Sequence, residues 1–180
     1  MVWPPMLRRS CQTGPMEDLA RRLREAGRSI LDLRDRLVTG EPWPLSESYG
    51  TEPEADWGPR EVLAHIDEML PYWTEQLGIV LAGDRETAVP FGRVATDPSR
   101  LARIGAERQR PVADLLDDIA RGLDGVDQFL ATLEPEDGDR VGRHSTRGEI
   151  SVRDSVERFL VSHLEDHVEQ LRAILGRPAA

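Results

Sequence analysis

Leu19, Leu23, Ala26, Ile30, Leu33 and Leu37 recur at steps of three and four, the spacing that lines one face of an α-helix. Gly40 and Pro42 close that run, because neither residue favours its continuation. The stretch GPREVLAHIDEMLPYWTEQLGIVLAG, residues 58–83, predicts a second helix with Gly58 as N-cap and Pro59 at the tolerated first position. Pro71 inside it predicts a kink. Val112, Leu115, Ile119, Leu123, Val126, Leu130 and Leu133 predict a third helix with the same stepping. A fourth begins at Ser151, which with Asp154 resembles a capping box, and ends at Gly176 before Pro178. No β-hairpin signal and no internal repeat stands out between them.

Four helices of about 20 to 25 residues, each roughly 30 Å or longer at 1.5 Å per residue, bury their stripes together as a bundle. The expected fold class is therefore all-α, a four-helix bundle. Residues 40–57 and 84–100 are too long for tight helix hairpins, which leaves room for a crossover. The chain length suits one domain. Residues 1–15, MVWPPMLRRSCQTGP, have tandem prolines and no apolar core of a secretory signal. They are expected to be a disordered extension, with the domain at 16–176, a tail at 177–180 and Met16 as an alternative start.

Candidate chemistry sits on the helical stripes. In VERFLVSHLEDHVEQL, residues 156–171, His163 and His167 lie one turn apart on one face. Within about 60° of His163 fall Val152, Val156, Phe159, Leu160, His167, Gln170 and Ile174, an apolar stripe with two imidazoles in its middle. Buried rings need partners for their nitrogens. His65, on the flank of the second stripe, meets the pair if helices two and four are neighbours. Three neutral imidazoles suit Zn²⁺, Ni²⁺ or Fe²⁺ and leave a coordination position open; the structural alternative is a set of hydrogen-bonded core histidines. The zinc-protease signature H-E-x-x-H is excluded, since Leu164 holds its second position and Glu165 lies about 200° from His163 on the wheel. Gln170 lies two turns above His163, where it orients a ligand or caps a polar seam. Arg93 on the crossover reaches over the metal mouth to hold a carboxylate, or serves as a surface ion-pair partner. Tyr72 and Trp73 line a pocket or belong to the core. His144 reads as a loop residue and not a ligand, Cys11 carries no assignment, and no fourth ligand stands out.

Composition narrows the partners. A formal charge of −10 and an isoelectric point of about 4.9 disfavour nucleic acid and anionic membrane surfaces. One cysteine forms no intrachain disulfide, and no run reaches the roughly 20 apolar residues of a membrane span. A cytoplasmic protein acting on a small-molecule substrate is expected. All 23 basic residues are arginine, a bias typical of GC-rich coding sequence.

Trp57-Gly-Pro-Arg-Glu-Val-Leu-Ala-His65-Ile, Pro90-Phe-Gly-Arg and His163-x-x-x-His167-x-x-Gln170-Leu, in this order, resemble the DinB/YfiT-like superfamily over roughly residues 16–176. The resemblance implies an up-down-down-up bundle with a long crossover between helices two and three. It also implies a divalent metal held by His65, His163 and His167. Relatives include transferases and isomerases that use low-molecular-weight thiols such as bacillithiol or mycothiol, and dimers are common among them. The implied activity is metal-dependent transfer of a small thiol to an electrophile, with mycothiol suggested by the GC-rich composition. His163 stands where the mycothiol-dependent maleylpyruvate isomerases carry a carboxylate, and their additional C-terminal domain has no counterpart in these residues. The alternative is a non-catalytic metal-binding or stress-associated module, with a homodimer as one form.

Overall fold

The computed structural model describes residues 14–47, 49–50 and 54–176, so residues 1–13 with Cys11 and the tail 177–180 lie outside the described residues. The chain is mostly helical with a small three-stranded sheet. The first stripe is divided between α1 (Pro15–Leu31) and α2 (Arg34–Thr39), with the break at Asp32 and Leu33. Both parts keep it inward, and Leu19, Leu23, Ala26, Ile30, Leu33 and Leu37 are all buried. Then α3 (Pro59–Ala82) starts after Gly58, as expected, and runs through the exposed Pro71 without a break.

The expected crossover holds more structure than its polar sequence suggested. It contains β1 (Val89–Phe91) and α4 (Pro98–Glu107). Asp97 caps α4, its carboxylate accepting from the N–H groups of Ser99 (2.9 Å) and Arg100 (3.1 Å). The third long helix is α5 (Val112–Ala131). After it come β2 (Val141–His144) and β3 (Gly148–Ser151), then α6 (Val152–Val156), a π-helical turn at Glu157–Ser162 and α7 (His163–Leu175) in one uninterrupted rod. Ser151 caps α6 by accepting the Asp154 N–H at 3.0 Å.

Side-chain pairings fix how these rods run. Arg24 pairs with Asp127 and Arg34 with Asp117, so α1 and α5 are antiparallel. Arg22 pairs with Glu157 and Glu165, while Arg36 donates to the Leu175 carbonyl, so α1 is parallel to the α6–α7 rod. His65 meets His163 and Trp73 stacks on Phe159, so α3 is antiparallel to that rod. Arg60 lies beside Arg110, and Leu70 packs where Gly122 lets α5 approach, which makes α3 parallel to α5. One continuous apolar core joins all of them.

The hairpin corrects the expectation that none was present. β1 pairs parallel with β2, and β2 pairs antiparallel with β3, with Gly142 opposite Ile150 and His144 opposite Gly148. β2 alternates exposed and buried positions, but its inward residues are Gly142 and His144, so no apolar alternation betrays it. A Cβ at Gly142 would fall 2.6 Å from Val80 and 2.7 Å from Phe91, so glycine permits the sheet to lie against α3. Gly148, at φ +72°, takes a left-handed backbone at the turn. His144 is thus a buried strand residue rather than a loop residue.

Arg140 ties the sheet to the end of α3. Its guanidinium donates to the carbonyls of Val80 (3.0 Å), Leu81 (3.0 Å) and Gly83 (2.9 Å), where α3 ends and its regular backbone donors run out. Replacing Arg140 by Ala is expected to destabilise the fold by roughly 1.5–3 kcal/mol, measured by chemical denaturation. A change under about 0.5 kcal/mol, the level of an ordinary surface substitution, would show that the cap contributes nothing.

Candidate metal centre

Three rigid placements converge where α3 faces α7. His65 lies mid-helix on α3 and His167 one turn into α7, both with about 3% exposure. His163 begins α7, directly after the π-helical turn. Such turns insert about one extra residue and re-aim the side chains beyond them, and they concentrate at functional sites. The His65 and His163 Nε2 atoms are 2.9 Å apart, and those of His163 and His167 are 3.2 Å apart.

A fourth group arrives from the 40–57 connection. Glu61, fully buried on α3, accepts from the Ser46 N–H (3.0 Å) and from Arg108 (2.9 Å), and Arg108 donates to the Ser46 carbonyl (3.2 Å). This pins the connection across α3. Its 3₁₀ turn Glu54–Asp56 then lies over the histidines, with the Glu54 carbonyl accepting from Gln170 Nε2 at 2.9 Å. Glu54 Oε2 stands 3.9 Å from His65 Nε2. One donor atom from each of Glu54, His65, His163 and His167 lies within 4.8 Å of all the others.

Proton positions favour a cation at this point. Gln170 Oε1 is 3.0 Å from His167 Nδ1, and since a carbonyl only accepts, the ring proton is on Nδ1 and the Nε2 lone pair faces the cluster. His163 Nε2 touches both other Nε2 atoms and carries at most one proton, which serves only one of those contacts well. A metal satisfies all three lone pairs. Nitrogens about 2.0–2.1 Å from one metal are about 3.0 Å apart at right angles and about 3.4 Å apart in a tetrahedron, a range close to the two separations found.

Burial works in the same direction. It is the main cause holding His163 and His167 down to about 4, with Arg100 adding to the effect on His163 and His163 adding to that on His167. His65 is pushed well below 6.5 by burial, then by repulsion from His167 and Arg100. All three are neutral near pH 7, the form that binds metal. Arg100 sits 3.3 Å from Nδ1 and 3.4 Å from Nε2 of His65. A group equidistant from both nitrogens is aligned with neither lone pair. Its charge is matched by Glu54, to which its Nη2 donates. Behind His65, the buried Glu68 has Oε2 without a hydrogen-bond partner, 4.0 Å from Nδ1.

The cluster opens into a cavity of about 950 Å³ lined by Met69, Trp73, Arg93, His144 and Phe159, among others. Trp73 and Phe159 stack at 4.2 Å, and His144 stacks on Phe159 at 5.1 Å. Of the residues singled out from sequence, His65, His163, His167 and Gln170 come together, and Trp73 and Arg93 are in the cavity wall. Arg93 is committed to an ion pair with Glu68 and lies 3.6 Å over the Tyr72 ring, so Tyr72 stands behind it rather than lining the cavity. His144 is in the wall but outside the donor cluster. Sequence reasoning missed Glu54, the fourth donor it did not find, and Arg100. The cap motif Asp97-Pro98-Ser99 was the legible signal for Arg100's helix, whereas nothing in the pattern around Glu54 marks it.

The family model of the DinB superfamily matches residues 15–171, and the chain belongs to that superfamily. No curated protein and no solved structure matches it.

Two outcomes follow from the site. The unfolded chain takes up protons near pH 6.5 that the folded histidines refuse until about 4. Metal-free protein should therefore lose stability as pH falls through that window, and His163→Gln/His167→Gln should flatten the slope between pH 6.5 and 5. Equal slopes in urea titrations would contradict the assignment. Gln170→Leu should weaken metal binding by about 10- to 100-fold, read by competition with a chromophoric chelator.

Proposed function

We propose that the chain is a metal-dependent enzyme in which His65, His163 and His167 hold a divalent transition metal, Zn²⁺, Ni²⁺ or Fe²⁺, and which transfers a low-molecular-weight thiol to a small electrophile. We read its four long rods as an up-down-down-up four-helix bundle with the crossover between α3 and α5. The observation that carries the reading is the convergence of three neutral imidazoles, two of which, His65 and His163, line an open cavity. A divalent ion there acts as a Lewis acid and lowers the pKa of a thiol or water. Around it, Gln170 fixes the His167 tautomer, and Trp73 with Phe159 supplies an apolar wall that excludes water from the reacting atoms. In the transfer, the thiol gives up its proton to water at the open side of the cavity. The sulfur then forms a bond to carbon, and the leaving group departs with its electron pair. Membership of a superfamily that includes bacillithiol- and mycothiol-dependent enzymes supports this class, and the arginine-rich composition makes mycothiol the first thiol to test.

A second reading rests on Glu54. A structural metal is usually closed by a fourth protein ligand, and Glu54 offers one. The protein would then be a non-catalytic metal-binding module, with a dimer as its working form.

Elemental analysis of protein purified without a metal-binding tag should find about one metal ion per chain, and none in His163→Ala/His167→Ala. Thiol consumption with mycothiol and an alkylating electrophile should then require the metal. If both proteins stay empty after incubation with Zn²⁺ or Ni²⁺, the metal reading is wrong. Metal without transfer points to the structural role.

A further inference from the structure

Glu54 and Arg100 form a unit that a three-histidine site does not require. Arg100 is only 6% exposed. Its Nη1 is fixed to the Ala95 carbonyl at 2.8 Å, and its Nη2 donates to Glu54 Oε1. The other Glu54 oxygen faces the histidines, 3.9 Å from His65 Nε2. One carboxylate thus spans a buried guanidinium and the point where the imidazoles converge. The histidines are carried on long helices, while Glu54 projects from a three-residue turn and keeps 18% side-chain exposure. Both Glu54 and Arg100 line the cavity.

We propose that the Glu54–Arg100 pair marks the subsite for a carboxylate of the substrate. A small carboxylate-bearing molecule takes the place of Glu54, with one oxygen on Arg100 and the other toward the metal, and Glu54 turns away. This rests on the three-histidine metal reading and adds the substrate class. The exchange swaps one carboxylate for another and leaves the local charge unchanged. Three neutral imidazoles leave a divalent ion uncompensated, and the Glu54–Arg100 pair cancels within itself, so the site as a whole draws in a small anion. Glu68 does not help, because Arg93 already offsets it. A guanidinium beside a metal holds the two oxygens of a carboxylate in a defined geometry, and Glu54 itself occupies that geometry. The stacked Trp73 and Phe159 give the apolar remainder of such a molecule a flat wall.

The test uses the full chain loaded with Co²⁺, with acetate as the probe and the visible absorption of the cobalt as the readout. Acetate should change the wild-type spectrum saturably. In Glu54→Ala, with cobalt content unchanged, it should bind at least tenfold tighter, since the internal competitor is gone. Glu54→Ala/Arg100→Gln removes both charges together, so no buried charge is left unpaired; acetate affinity should fall back at least tenfold while cobalt is retained. Wild-type acetate affinity in Glu54→Ala, no spectral change, or full affinity in the double variant would each overturn the proposal. If the wild type takes up no cobalt, the metal reading falls and this inference with it. Cobalt uptake with a negative acetate result removes this inference alone.

Discussion

Three largely buried imidazole rings brought within hydrogen-bonding reach set an electrostatic problem, since each nitrogen must either donate or accept. His167 resolves one nitrogen on Gln170, and His65 presents Nδ1 toward the partnerless oxygen of Glu68. The remaining Nε2 atoms point at one another. Much of the surrounding architecture follows from holding that arrangement. The long helices supply rigid positions, the π-helical turn sets the phase of α7, and the connections deliver compensating charge.

That compensation is organised along α3. Glu61 and Glu68 are buried on it, and each receives an arginine from the crossover side, Arg108 for Glu61 and Arg93 for Glu68. Arg100 adds a third pairing with Glu54. Breaking a buried pair by removing one partner leaves a charge in a poor solvent and is strongly destabilising. These pairs therefore fix where the two long connections run. Glu61 holds Ser46, and through it the path that brings Glu54 over the histidines. The positioning of the centre and the routing of the loops are one problem, with arginine suited to it because its fork stays charged and bonds two groups at once.

Helix content and most helix boundaries were legible because apolar spacing and Pro/Gly punctuation are local signals. The stripe of α1 and α2, the Gly58-Pro59 start of α3 and the Ser151 cap are where the periodicity and capping residues put them. The π-helical turn escaped notice because its Glu157–Ser162 sequence is compatible with an ordinary helix. The hairpin escaped because its inward positions are Gly142 and His144, small and polar residues whose burial depends on α3 and Phe91 lying above them.

The sequence by itself determined the donors that share a helix. His163, His167 and Gln170 fall within two turns of one face, and the 3.6-residue period leaves no other arrangement. His65 was placed by the order of motifs along the chain. Tertiary structure alone decided the rest of the centre. Glu54 and Arg100 meet across 46 residues of chain, from a short turn and a short crossover helix. The path that joins them is set by buried charges finding partners, an interaction with no period in the sequence to announce it.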